Sequence, residues 1–129
     1  MKTYKEYIKE QELILESPNF SKESTGLPCN IYASDEVNNH NKPRLKFQNN
    51  YSDSITGISD YIPLSIPTSD SEEPEVLIDK KVNLKSKDFK YLKAWVKKYR
   101  KMLLKLWKKE IDARELRNFF AKERKKDIE

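Results

Sequence analysis

SKDFKYLKAWVKKYRKMLLKLWKK, residues Ser86 to Lys109, is the stretch on which the fold turns. Its apolar residues are Phe89, Leu92, Trp95, Val96, Tyr99, Leu103, Leu106 and Trp107, spaced by three, four and one. That spacing predicts an amphipathic helix of about five turns with one unbroken apolar seam. Ser86 is a candidate cap for the first-turn amides, and Asp88 stands where the helix dipole favours an anion. The helix is expected to run from about Ser86 to Glu110. Its seam should be buried, and Lys93, Lys97, Lys101, Lys105 and Lys108 should be open.

The same stretch holds most of the chain's charge. Between Lys80 and Lys109 there are thirteen Lys or Arg residues and one acid, Asp88, a local charge of +12. The whole 129-residue chain is only +5, so the other residues sum to −7. An acidic body thus carries one basic rod. Like charges along one helix repel unless neutralised. The internal counter-surface is the acidic segment Asp70, Glu72, Glu73, Glu75 and Asp79; the external one is nucleic acid, met without base specificity.

Hydrophobic residues make up 36% of the chain and charged residues another 36%, which leaves room for one small core. The single cysteine, Cys29, excludes an internal disulfide and a multi-cysteine zinc site. It reads as a small buried apolar residue. Two glycines argue against a glycine-rich phosphate loop. No apolar run approaches the roughly 20 residues of a membrane span, and the first residues lack an apolar signal core. No catalytic spacing signature, metal set or cofactor motif is present, and the expectation is a non-enzymatic protein without a cofactor.

Outward from the rod, the pattern predicts an α+β fold: a small antiparallel sheet over residues 27–79, packed by the long helix. Leu27 to Ala33 reads as a strand. Arg44 to Gln48 alternates as a half-buried strand with Leu45 and Phe47 inward. Tyr61 to Pro67 is apolar at Ile62, Leu64 and Ile66, with Pro63 and Pro67 pointing outward and confining it to a sheet edge. Val76 to Ile78 reads as a short strand. Residues 1–16 form a separate N-terminal helix ended by Ser17-Pro18, residues 17–26 a polar linker, 27–110 the domain, and 111–129 a helical extension. In the extension, Asp112 and Glu115 resemble a capping box.

Two resemblances go beyond these patterns. Asn39-His40-Asn41-Lys42-Pro43-Arg44-Leu45-Lys46-Phe47, following the strand Asn30-Ile31-Tyr32-Ala33, resembles the small bacterial domain-of-unknown-function family 4160. Trp95 and the stretch Leu103 to Trp107 match that family's terminal helix, so the likeness covers about residues 26–110. Two of the family's three histidines fall on Arg44 and Lys46 here. Arg and Lys are poor metal ligands, being protonated near neutral pH. The family implies a fold rather than an activity. An enzyme built on this loop would use His40 as base, with Arg44 and Lys46 clamping an anion such as a phosphodiester.

Met1-Lys2-Thr3-Tyr4-Lys5-Glu6-Tyr7-Ile8-Lys9-Glu10 is similar to the leaders of proteins packed in the heads of large myovirus-type tailed phages. The triplets Ile8-Lys9-Glu10 and Ile14-Leu15-Glu16 resemble head-protease sites, with cleavage after Glu10 or Glu16. The resemblance implies a phage protein in the virion or the host cytoplasm, docked on head or assembly proteins through Tyr4, Tyr7, Ile8 and Leu15. The alternative is a toxin-like or anti-defence effector that meets nucleic acid through the lysine face.

Overall fold

A computed structural model describes residues 19–33, 42–52 and 60–128, the side chains of the last three apart. The expectations for residues 1–16 and for His40 lie outside the described residues. Asn19–Phe20 (β1), Ile31–Tyr32 (β2), Arg44–Gln48 (β3) and Tyr61–Ser65 (β4) form one sheet in the order β1-β2-β3-β4. Every neighbouring pair is antiparallel. Phe20 stands opposite Ile31, Ile31 opposite Phe47, and Phe47 opposite Ile62, with Leu45 opposite Leu64. Side chains alternate between faces along a strand, so these six share one face. All six are buried.

Against that face packs the lysine-rich stretch, as helices Ser86–Lys98 (α2) and Arg100–Trp107 (α3). Leu92, Trp95, Val96, Leu103 and Leu106 join the strand residues in one core cluster, and Tyr99 packs half-buried against it. The α+β architecture is therefore as the pattern predicts. The rod is interrupted at Tyr99, where φ is −103° and ψ is 17°. The hydrogen-bond ladder nevertheless passes through: the Tyr99 amide donates to the Trp95 carbonyl at 3.0 Å, and the Leu103 amide to the Tyr99 carbonyl at 3.0 Å. The apolar seam stays continuous.

The start of the rod differs from expectation. Ser86 is the first helical residue rather than the cap; Lys85 holds the cap position and makes no side-chain cap bond. Tyr51 does that work from a distance. Its hydroxyl accepts from the Lys85 amide at 2.7 Å and donates to Asp88 Oδ2 at 2.6 Å. Asn49 fixes the approach, donating to the Lys81 carbonyl at 2.9 Å and accepting from the Asn83 amide at 2.7 Å. The far end closes with Lys109 at φ 65°. The Glu110 amide returns to the Lys105 carbonyl at 2.8 Å and the Lys109 amide to the Leu106 carbonyl at 3.0 Å. This is the Schellman arrangement, with lysine where glycine is usual.

Residues 19–26 are not a linker. Besides β1, they form the short helix Lys22–Thr25 (α1), capped by Ser21, whose hydroxyl accepts from the Ser24 amide at 3.2 Å. Phe20 is fully buried. What covers it is the supposed extension, the helix Ala113–Ile128 (α4). Asp112 caps α4 by accepting from the Glu115 amide at 2.8 Å, as its position implies. Phe120 meets Phe20 edge-on at 6.0 Å and Trp95 at 4.9 Å, while Arg117 donates to the Asn19 carbonyl at 2.9 Å. Leu116 and Phe120 are buried, so α4 belongs to the core. A polar local sequence hid this, because one phenylalanine and its distant partner decide it.

Only β2, not the whole of Leu27–Ala33, is strand. Val76–Ile78 likewise reduces to one bridge, Val76 to Leu64. The segment 75–77 runs along the outer side of β4, with the Ser65 amide donating to Glu75 and the Leu77 amide to Pro63. β4 is the last strand of the sheet, as its prolines require, yet Pro63 and Pro67 are buried rather than open. The Pro63 nitrogen lies on the outer side of β4, beyond the β3 ladder, so no pairing with β3 is lost.

Candidate nucleic-acid interface

The rod has two flanks of different character. Along one lies the acidic loop between β4 and the bridge at Val76. Arg100 donates through Nε and Nη2 to Asp70 Oδ1 at 3.1 and 2.6 Å. Lys97 pairs with Glu73, and Lys42 Nζ lies 3.7 Å from Glu75. Glu72 is turned inward on its own loop, accepting from the Thr68 hydroxyl at 2.9 Å. Those hydrogen bonds hold its carboxyl below its ordinary range. Asp70 is held low by hydrogen bonds from Arg100 first and by that residue's charge second. Of the acids expected as the internal counter-surface, Asp70 and Glu73 thus meet the rod, while Glu75 faces Lys42 and Glu72 its own loop.

The consequence reshapes the expected face. Lys97 is half-buried and ion-paired, and Lys93 is half-buried, its ammonium 5.3 Å from the Phe89 ring. Neither belongs to the open side. Lys101, Lys105 and Lys108 do, being exposed with no ion pair among the described residues. Helical geometry adds Lys87, Lys90 and Lys98 to the same stripe, all exposed. Six lysines therefore run along one solvent face of α2 and α3, with Asp88 bordering Lys87 and Lys90. Sequence reasoning missed the first three. The signal was present in their i, i+3, i+4 spacing, but which flank the acidic loop would occupy was not.

Among these lysines stands Tyr91, with 53% of its surface exposed, more than any other large hydrophobic residue among those described. A groove of about 190 Å³ lies on one side of it, lined by Gly26, Ala94, Lys98 and Arg124 among others. On its other side is a shallower hollow lined by Ser86, Lys87, Asp88 and Lys90. The Asp88 carboxylate there is engaged by Tyr51.

Other expected sites fare differently. Arg44 and Lys46 share the sheet face opposite the core row, half-buried, with Arg44 Nε donating to the Lys42 carbonyl at 3.2 Å. Cys29 is buried and free, and burial pushes its thiol up to about 12, so it carries no thiolate near neutral pH. Among the described residues no His, Cys, Asp and Glu side chains gather as a metal site. No helix there is long and apolar enough to cross a membrane. No family model, curated protein or solved structure matches the chain.

Proposed function

We propose that this is a non-enzymatic protein that contacts nucleic acid through the lysine stripe of α2 and α3, and that it does so in a tailed-phage particle or its host. The observation that carries the reading is the division of the rod: on one flank Lys97 and Arg100 are paired with the protein's own acidic loop, while on the other Lys101, Lys105 and Lys108 stand exposed with no ion pair among the described residues. A purely solubilising lysine face needs no such division. Phosphates supply the missing counter-charge, and binding of this kind releases condensed counterions without reading bases. The leader of residues 1–16 supports residence in the virion head, with Tyr4, Tyr7, Ile8 and Leu15 docking on head or assembly proteins.

Reversing Lys101, Lys105 and Lys108 to Glu tests the first part. Titrated against a labelled duplex, the native protein should show log K falling linearly with log salt, and the triple variant should not bind. Circular dichroism should be unchanged, because these side chains leave the seam. Binding that ignores ionic strength, or that survives the reversal, would sink the reading. Mass spectrometry of purified virions separates a packaged protein from an effector free in the host, and an N-terminus at Gln11 or Ser17 would mark cleavage of the leader.

A further inference from the structure

We infer that Tyr91 is a stacking platform for an unpaired base, so that the lysine stripe prefers single-stranded over double-stranded nucleic acid. The inference rests on the proposed nucleic-acid contact and narrows its ligand. Tyr91 does nothing visible for the fold: among the described residues it makes no hydrogen bond, ring–ring contact or cation–π contact. The neighbouring aromatics differ. Tyr51 caps α2, and Tyr99 packs on Trp95 at 5.2 Å and on Phe119 at 5.8 Å. A half-exposed ring without such contacts is open to a ligand, and here it stands among the lysines of α2.

Its surroundings suit a base and its phosphates. Ala94, one turn along, is exposed and small, leaving the flank of the ring uncovered. Lys98 and Arg124 line the groove on that side, and Lys87 and Lys90 the hollow on the other, where the Asp88 carboxylate is also present and accepts from the Tyr51 hydroxyl. A strand laid along the stripe would thus find cations before and after the ring. This combination of a basic track with an aromatic platform binds single strands without sequence preference, since every base has a π-face. In a duplex that face is covered by the neighbouring base pair, so the ring gains nothing there.

Fluorescence anisotropy of the full chain with a labelled oligo-dT and with a duplex of equal charge, at low salt, is the test. The native protein should bind oligo-dT more tightly. Tyr91→Ala should weaken oligo-dT binding about ten-fold and leave duplex binding unchanged, while Tyr91→Trp should keep the preference. Loss of both affinities together in Tyr91→Ala, or loss of neither, would overturn the platform and leave the lysine stripe standing. Absence of binding to either probe by the native protein would overturn the contact itself. Tyr91 lies outside the core cluster, and a thermal melt of each variant separates loss of binding from loss of folding.

Discussion

Two single residues sit in positions whose cost or protection can be measured. Lys109 holds a left-handed backbone at φ 65°, which a residue with a Cβ adopts at a penalty. Lys109→Gly should stabilise the protein by about 1 kcal/mol, read as a higher urea midpoint with an unchanged slope. Cys29 is protected by burial. Its thiol is raised from 9.0 to about 12, chiefly by desolvation and then by the charge of Asp88. A raised acid stays neutral in the fold while the unfolded chain ionises. Its stabilising contribution is therefore full below about pH 9 and is lost as the pH climbs toward 12. Cys29→Ala should flatten that alkaline decline, and iodoacetamide should label Cys29 only in denaturant.

Among the elements, α4 is the one that periodicity alone underrates. It binds through aromatic edges: Phe120 touches Phe20, Trp95 and Tyr99, the last at 5.5 Å. Such pairs add to the area that they bury. Trp95 is the hub between α2 and α4, and Trp95→Ala should cost about 3–5 kcal/mol, as much as many small domains possess. Equilibrium unfolding in urea measures it; a loss under 1 kcal/mol would mean that the aromatic cluster does not bear on stability. The seam of α2 and α3 was legible because helical spacing is local, and the inward residues Leu45 and Phe47 because alternation is. The role of Phe20 was not legible. It is one apolar residue in a polar stretch, and its burial depends on Phe120 far along the chain. Nor could the lysine stripe be placed correctly, since Lys93 and Lys97 differ from Lys101 only in which neighbour packs beside them.

For the molecule as a whole, charge is arranged rather than balanced. Asp70 and Arg100 join the acidic body to the basic rod at 2.6 Å, with the carboxyl exposed. A carboxyl lowered in the fold contributes stability above its unfolded-state value and loses it as the pH falls through the folded one. The window therefore lies below the ordinary carboxylate range, near and under 3.8. Melting midpoints taken below pH 5 at low salt should fall less steeply in Asp70→Asn than in the native chain. High salt should erase much of the difference, because the pair is open to screening. Equal slopes at low salt would show that the loop is held by its backbone bonds alone.

The clasp between β1 and α4 also bears on how the protein is made. Phe20 leaves the ribosome about a hundred residues ahead of Phe120, the side chain that covers it. At ordinary rates of synthesis that delay is roughly 5–20 s. Throughout it the Phe20 ring lacks its cover, and toward the end of it Trp95 also waits for Phe120. Until Phe120 arrives, that apolar surface is exposed to other chains, a hazard which the finished protein does not share.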